Sequence, residues 1–324
     1  MRAVCVVGLG LIGGSVLRAA VRSGRPAWGA TVSASDASAA LAAGYDVSST
    51  VDEAVMRAVD EDALVVLAVP LPAVERALRT VAAVAPSCLL TDVVSVKQPV
   101  ADLVARVVPT ARYAGGHPMA GRSVSGWESG SESLFDGAPW VAVADEETAL
   151  EAWREAAALA LDCGAHVVPT TASEHDAAVA RVSHLPHVLA AVLAATGAGG
   201  GPLALSLAAG SFTDGTRVAG TPVDSVLAMC EGNRGPLLDA VDDALGRLGA
   251  ARGALASTGG LAATVRAGHA GRAELLAVRS DEGREEVRID LTDPEAFDDL
   301  RSLGAGGGRV LRFEEDVVVG DLPG

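Results

Sequence analysis

The chain has 324 residues, enough for two ordinary domains that each bury a core. It carries 25 basic and 41 acidic side chains, a formal net charge of −16, and such a surface repels nucleic-acid phosphates and anionic membranes. Four cysteines without a CxxC pair indicate thiols of a reducing compartment and argue against a disulfide framework. We therefore expect a soluble, cytoplasmic protein with no nucleic-acid or membrane partner.

Two apolar runs resemble membrane segments but lack their features. The N-terminal run is interrupted by glycines, is followed by Arg18 and Arg22, and offers no convincing cleavage site for a signal peptidase. The uncharged run 188–210 contains GAGGGP, which would break a spanning helix. We predict that this run forms two buried helices around a bend.

Through the first 108 residues, short apolar runs alternate with segments of helical spacing. Strands are predicted at 3–8, 30–36, 63–70 and 87–92, and helices at 11–24, 51–59, 71–84 and 96–108. Continuously apolar strands that alternate with helices predict a parallel sheet covered on both faces. Residues 112–117 and 138–144 are predicted to add two strands.

After about residue 165 the pattern changes. From residue 173 to 277 nearly all of the chain has helical spacing, with breaks predicted at 197–202, 210–222 and 257–260. The last stretch, 278–324, is charged and has strand-like runs on either side of a short helix. We expect it to form a small αβ appendage or a tail packed on the helical domain.

The hexapeptide GLGLIG follows the first predicted strand and opens the first predicted helix. In this context the first glycine permits a tight turn, the second lets the backbone approach a pyrophosphate, and the third lets helix and strand pack closely. The helix N-terminus adds unpaired N–H groups for the phosphates. We predict an NAD site formed by Gly8, Gly10, Leu11, Ile12 and Gly13. The alternative is a glycine-rich turn in an α/β protein that binds no nucleotide.

Two other strand ends bear on the cofactor. Asp36 is predicted to end the second strand, where a carboxylate binds the ribose hydroxyls and repels the extra phosphate of NADP. Val69 and Pro70 end the third strand, at the sheet edge that borders the cofactor crevice. The predicted fold is therefore α/β: a Rossmann-type doubly wound parallel sheet over 1–165, an all-α domain over 166–277, and the tail 278–324.

His117 lies in the segment GGHPMAG, residues 115–121. Glycine and proline interrupt regular structure, and small neighbours let another molecule approach the imidazole closely. With an ordinary pKa of about 6.5, an imidazole is mostly neutral at pH 7 and able to accept a proton. His117 is thus a candidate general base at the end of a predicted strand, and the alternative is a histidine in a surface turn.

Together with GGHPMAG, the segments SHLPH (183–187) and DGTRVAG (214–220) make the chain similar to the prephenate/arogenate dehydrogenase family of tyrosine biosynthesis. The similarity extends from residue 1 to about 275. It implies NAD(P)-dependent oxidative decarboxylation of prephenate to 4-hydroxyphenylpyruvate, or of arogenate to tyrosine, by a Rossmann domain joined to a helical substrate and dimerisation domain. A homodimer is therefore expected.

The resemblance also implies roles for individual side chains. His117 matches the catalytic histidine, Ser95 a catalytic serine, and Arg217 the residue that holds the ring carboxylate. His187, and then His184, match the pocket for the substrate side chain. Structural alternatives remain for each: an N-cap for Ser95, an ion pair with Asp214 or Asp176 for Arg217, and satisfied core histidines for the SHLPH pair.

Three nearby polar residues are given structural roles. Lys97 is predicted to be a structural or phosphate-side cation, and His175 to cap or brace a helix. A metal site built from His184, His187, His175 and Asp176 is disfavoured, because hydride transfer needs no metal and the ligand set is unconvincing. We expect no metal.

The residues leave the substrate open between prephenate, arogenate and 4-amino-4-deoxyprephenate, which share the ring chemistry. A dehydrogenase of the 6-phosphogluconate or 3-hydroxyacid type is disfavoured, since those enzymes use a lysine in the helical domain and residues 173–277 contain none. A non-catalytic NAD-binding regulatory protein is the alternative from another class. The tail is too short for the ACT domain of about seventy residues that ends some family members.

Overall fold

The computed structural model describes residues 1–122 and 124–324. Its first sheet is built from β1 (Val4–Val7), β2 (Ala27–Ala30), β3 (Leu64–Leu67), β4 (Leu89–Asp92) and β5 (Arg112–Ala114). Its helices are α1 (Leu11–Arg22), α2 (Ala34–Ala42), α3 (Val51–Asp60), α4 (Leu71–Val84) and α5 (Gln98–Val107). The strands are all parallel, in the order β2-β1-β3-β4-β5, and every residue of β1, β3 and β4 is buried. The predicted doubly wound parallel sheet is confirmed.

The prediction of a strand over 30–36 was wrong. The strand β2 ends at Ala30, and Ser33 caps α2 by accepting a hydrogen bond from the backbone N–H of Asp36 at 3.3 Å. The β-branched pair Thr31 and Val32 suggested a strand, but the serine cap and the alanine-rich run behind it stabilise a helix.

A second sheet contains β6 (Gly116–Pro118), β7 (Pro139–Val143), β8 (His166–Thr170), β9 (Glu285–Asp290), β10 (Arg309–Glu314) and β11 (Val317–Leu322). Its order is β6-β7-β8-β10-β11-β9, and only β7 and β8 are parallel among its described pairs. The helices α6 (Leu150–Asp162) and α14 (Ala296–Ala305) pack on it. The strand β8 was missed from the sequence.

The segment 112–117, predicted as one strand, is two strands in different sheets. At Gly115 the chain leaves the first sheet, and His117 then pairs with Val141 in the second. Pro118 fits in β6 because β6 is an edge strand, where a proline is tolerated. Gly116 is required for the crossing, since a Cβ there would lie 2.6 Å from the carbonyl oxygen of Asp92.

The helical segment begins at Ala172. It contains α7 (Ala172–Val179), a π-helical turn (Ala180–His184), α8 (Leu185–Gly199), α9 (Gly201–Ser206), α10 (Gly210–Thr216), α11 (Val223–Gly232), α12 (Arg234–Ser257) and α13 (Ala262–Arg279). The predicted bend lies between α8 and α9, where Gly201 has φ +76°. The predicted break over 210–222 was wrong, because α10 and a 3-10 turn (Arg217–Gly220) occupy most of it.

The run 188–210 is helical but not buried within one chain. Of α8 only Ala190 is buried, and no residue of α9 is. Within the described residues one helix, Ala172–Gly199, is long and apolar enough to cross a membrane. A single such helix is weak evidence of a span, because helices that pack against a protein partner have the same composition.

The C-terminal residues form the predicted αβ appendage, but not on the helical domain. Val310 of β10 pairs with Val167 of β8, so the appendage extends the second sheet. Trp153 of α6 packs edge-on against both Phe297 and Phe313, with ring centroids 6.3 Å apart in each pair. The tail is therefore part of the N-terminal body of the protein.

Candidate active site

The glycine loop has the geometry expected of a dinucleotide site. Gly8 follows β1 with φ +102°, and a Cβ there would lie 2.4 Å from the carbonyl oxygen of Ala68. A Cβ at Gly13 would lie 1.9 Å from the carbonyl oxygen of Gly8, so α1 packs directly on the loop. At Gly10, by contrast, a Cβ would meet no described atom within 4 Å. The backbone of Gly10 is thus open to an approaching pyrophosphate, as the sequence predicted.

A cavity of about 660 Å³ extends from this loop along the carboxyl ends of the strands. Gly8, Thr31, Val69 and Arg76 contribute to its wall. Its position between β1, β2 and the start of α4 is where a doubly wound fold holds the adenosine half of a dinucleotide.

Asp36 does not stand at the end of β2. It lies in the first turn of α2, and its Oδ1 accepts a hydrogen bond from the backbone N–H of Trp127 at 2.9 Å. Thr31 follows the carboxyl end of β2 instead and lines the cavity. The prediction that Asp36 binds the ribose rested on its position at the end of β2. The side chain at that position is the hydroxyl of Thr31.

A buried ion pair lies beneath the carboxyl end of β4. The ammonium of Lys97, 1% exposed, binds the carboxylate of Asp92 and donates to the carbonyl oxygen of Gly116 at 2.5 Å. The hydroxyl of Tyr113 donates to the other oxygen of Asp92 at 2.6 Å. Burial lowers the pKa of Lys97, against the opposing effect of Asp92. Lys97 thus fixes the backbone immediately before His117, in agreement with a structural role.

His117 is the first member of a chain of three side chains. Its Nδ1 lies 2.8 Å from Nε2 of His175, and Nδ1 of His175 lies 2.8 Å from Oδ1 of Asp176. Asp176 also accepts hydrogen bonds from the backbone N–H groups of Lys97 at 2.8 Å and Gln98 at 2.9 Å. His175 therefore contacts His117 directly, whereas the sequence predicted only that it caps or braces a helix. Sequence reasoning missed this contact.

The surroundings of His117 favour its neutral form. Burial, then repulsion from His175 and from Lys97, lowers the pKa of His117 well below its ordinary value of 6.5. Its ring is only half-buried, and Nε2 has no hydrogen-bond partner among the described residues. A neutral imidazole with one free nitrogen is suited to accept a proton from a bound molecule.

His184 is fully buried next to this chain of side chains. The side-chain amide of Asn233 donates to the carbonyl oxygen of Asp176 at 2.7 Å and lies 3.1 Å from Nδ1 of His184. Nε2 of His184 has no partner among the described residues. Burial lowers the pKa of His184 to about 4, so this histidine is neutral. Asn233 was noted in the sequence only as agreeing with the family.

His187 and Arg217 lie near each other in the helical segment. Burial lowers the pKa of His187, against a hydrogen bond with the backbone of Val218, and the charge of Arg217 lowers it further. Arg217 is exposed and forms no ion pair with a described residue, so the alternative of a bridge to Asp214 or Asp176 is not realised. Its guanidinium is available to bind an anion.

Ser95 is half-buried in the loop between β4 and α5. The N-cap of α5 is Lys97, so the alternative role of Ser95 as a helix cap is wrong. Within the described part of the chain, its hydroxyl makes no hydrogen bond to His117. The loop nevertheless places it at the carboxyl end of β4, the edge that carries the other candidate residues.

Two models of one family match the chain. The prephenate dehydrogenase nucleotide-binding domain matches residues 19–169, and the prephenate dehydrogenase dimerization domain matches residues 171–259. Together they cover the strand β6 that carries His117 and the helical segment that carries His175, Asp176 and Arg217.

Individual proteins agree with this assignment. The prephenate dehydrogenase of Bacillus subtilis is 33% identical over 251 residues, 74% of this chain, and the match spans 66% of that enzyme, slightly less than two thirds of its length. The cyclohexadienyl dehydrogenase of Zymomonas mobilis is 32% identical over 270 residues, 79% of this chain and 89% of that enzyme. A crystal structure from Corynebacterium glutamicum, assigned as a prephenate dehydrogenase, has a TM-score of 0.81 and 45% identity over 85% of this chain and 88% of its own.

Alanine substitutions at two glycines of the loop distinguish an effect on dinucleotide binding from an effect on stability. We expect Gly10→Ala to unfold at the wild-type temperature but to lose dinucleotide affinity by at least about tenfold, because its Cβ enters the space left for the pyrophosphate. Gly13→Ala is the matched control in which the Cβ meets backbone, so it lowers the melting temperature as well. Calorimetric titration with NAD and thermal unfolding measure the two effects, and unchanged affinity in Gly10→Ala would contradict the assignment of the loop.

Proposed function

Because the chain belongs to the prephenate dehydrogenase family, we propose that it oxidises and decarboxylates prephenate to 4-hydroxyphenylpyruvate, with NAD as the hydride acceptor. The observation that carries the proposal is the half-buried, neutral His117 with a free Nε2, placed where the nucleotide-binding sheet meets the helical segment. A non-catalytic nucleotide-binding protein would have no need of such a group.

The reaction requires a base at one end of the ring. Prephenate has a hydroxyl and a hydrogen on ring carbon 4, and a carboxylate on ring carbon 1. As the C4–H bond breaks and its electron pair leaves as hydride, the hydroxyl proton passes to Nε2 of His117. The electrons of the C1–carboxylate bond then complete the aromatic ring as CO2 departs, and the phenolate oxygen takes the proton back.

The backbone from Gly8 to Gly13, including Leu11 and Ile12, is where NAD is held in this proposal. Val69 lines the adjoining cavity, and Pro70, the next residue, is assigned to the same edge of the crevice. Bound NAD supplies the acceptor for the hydride. The residues present fit such a group, because Gly10 leaves the loop open and the N-terminus of α1 points unpaired N–H groups toward it. The ribose faces Thr31 in this arrangement.

The substrate is a dianion that approaches a strongly acidic protein, so local cations and donors must bind it. Arg217 is the group we assign to the ring carboxylate, since a guanidinium binds a carboxylate through two parallel hydrogen bonds. His187 lies beside it, and His184 presents a buried N–H, so both are assigned to the substrate side chain. Ser95 is assigned to the hydroxyl end, next to His117.

We infer that two copies of the chain associate through the helical segment in a soluble, cytoplasmic enzyme. Along α12, exposed leucines recur at intervals of seven, three and seven residues, which is the spacing of a seam between packed helices. They are Leu238, Leu245, Leu248 and Leu255, each more than half exposed in the single chain. A second copy would cover this face, as would be expected of the dimerization domain that matches residues 171–259.

The assay that tests the proposal follows NADH formation with purified protein, with prephenate and arogenate supplied separately. We expect turnover with prephenate, and a His117→Asn variant whose kcat is lower by about 10²–10⁴-fold, because the asparagine cannot take the hydroxyl proton. NAD affinity should not change. The control His269→Asn alters an exposed histidine of α13 and should keep wild-type kcat. Absence of turnover despite NAD binding would reject the proposed function, and turnover with arogenate alone would reassign the substrate.

The pH dependence follows from the lowered pKa of His117. A protonated imidazole cannot accept the hydroxyl proton, so activity is lost as the pH falls through the pKa of His117 and is fully present above it. Since that pKa lies well below 6.5, the acid limb of kcat/KM should lie below pH 6.5. Initial rates from about pH 5 to 8 measure it. A limb centred above neutral pH would show that another group controls the proton transfer.

Association is tested by sedimentation at micromolar concentration. We expect a dimer for the wild type and a monomer for Leu248→Glu, because the carboxylate would be buried in the seam without a partner. Leu41→Glu, at an exposed leucine of α2, is the matched control and should remain dimeric. A monomeric wild type would exclude the seam.

A further inference from the structure

We infer that His175 and Asp176 are positioning residues that hold His117 in the tautomer with hydrogen on Nδ1, which leaves Nε2 as the atom that accepts the proton. The identity of the proton donor rests on the proposed function. The tautomer itself does not, because it follows from the hydrogen bonds of the protein alone.

Asp176 sets the direction of the hydrogen bonds that link His117, His175 and Asp176. Its Oδ1 accepts from the backbone N–H of Lys97 and its Oδ2 from that of Gln98, at the N-terminal end of α5. Burial raises the pKa of Asp176, but the hydrogen bonds from His175 and from these amides outweigh it and leave the pKa lowered. An ionised carboxylate can only accept hydrogen bonds. The Nδ1 atom of His175, 2.8 Å away, must therefore carry a hydrogen.

The next link follows from the neutrality of His175. Burial lowers its pKa, with Asp176 acting in the opposite direction, so its ring carries a single hydrogen near neutral pH. That hydrogen is on Nδ1, and Nε2 of His175 is consequently an acceptor. Since Nδ1 of His117 lies 2.8 Å from this atom, it must be the donor.

The last link assigns the base. His117 is also neutral, so a hydrogen on Nδ1 leaves the lone pair of Nε2 free. When Nε2 takes a proton, the Nδ1–H group of the cation still donates to His175, whose own N–H faces the carboxylate of Asp176. The buried negative charge thus stabilises the imidazolium through His175, which is how an oriented carboxylate assists a histidine base in other enzymes.

The hydrogen bonds between His117, His175 and Asp176 join two parts of the molecule. His117 belongs to β6, whereas His175 and Asp176 belong to α7, the first helix of the helical segment. Asn233, from the junction of α11 and α12, holds the backbone carbonyl of Asp176 at 2.7 Å. The tautomer of the base is therefore set by residues outside its own sheet.

The tautomer is measured directly by nitrogen NMR of protein labelled with ¹⁵N-histidine. The chain has six histidines, and the His117→Asn variant assigns the resonances of His117 by difference. In the wild type we expect a protonated-type shift for Nδ1 of His117 and an unprotonated-type shift for Nε2. The opposite pattern would overturn the inference whatever the enzyme turns over, so this result is independent of the substrate assignment.

Two substitutions at His175 form a matched pair. An asparagine amide occupies the place of Nδ1 and keeps the contact with Asp176 only, whereas a glutamine amide reaches the place of Nε2 and can still accept from His117. We expect His175→Asn to lower kcat by about 100-fold and His175→Gln to retain kcat within about tenfold, with KM little changed in both. Equal kcat in both variants and the wild type would overturn the inference.

A double-mutant cycle separates positioning from a general structural effect. If His175 acts through His117, then His175→Asn should have no further effect on kcat in the His117→Asn background. Equal fold-losses in both backgrounds would assign His175 a role independent of His117 and overturn the proposal. Thermal unfolding of each variant confirms that the folded protein is being compared.

Discussion

The carboxylate of Asp176 is the group on which the arrangement of the site depends. It accepts two backbone N–H groups at the start of α5 and the imidazole N–H of His175, so one side chain of the helical segment is bound to a helix of the first sheet. A buried carboxylate with three donors is held in one orientation, because any rotation would leave a buried donor unpaired. The positions of His175 and His117 follow from it.

A second buried charge pair supports the other side of His117. Lys97 and Asp92 are almost fully buried, and the lysine also binds the carbonyl of Gly116. Such a pair adds little net stability, since removing two charges from water offsets their attraction, but it defines geometry. The backbone before His117 and the ring nitrogen Nδ1 of His117 are thus both held through buried ionic groups.

Much of the N-terminal fold could be predicted because its strands are short, apolar and separated by helical spacing. The glycine loop was predictable for a different reason. A side chain at Gly8 or Gly13 would clash with the backbone, so these positions require glycine. Ser95, Arg217 and His117 were predicted as site residues through motifs. The link between His117 and His175 was not, because it joins residues of two different bodies and leaves no local pattern. The single clue was the adjacent pair His175-Asp176 just before SHLPH.

Two predictions were wrong because they depended on the surroundings of a residue, which its local sequence does not specify. Asp36 was placed on a strand because Thr31 and Val32 favour one, yet the cap at Ser33 decides for a helix. The run 188–210 was expected to be buried, but its leucines are exposed in the single chain. The spacing of apolar residues predicts a helix and does not specify whether the helix is covered. Both errors concern where an apolar or polar residue faces, which spacing alone does not specify.

The return of the C-terminal strands to the second sheet has a consequence for how the protein is made. Since β10 lies directly beside β8, the sheet that begins with the strand of His117 is completed only by strands that follow the helical segment in the chain. The helical segment, with its exposed leucines, is therefore synthesised before that sheet can close. The strand β6 with His117 and the strands β10 and β11 of the same sheet are thus separated in synthesis by the whole helical segment.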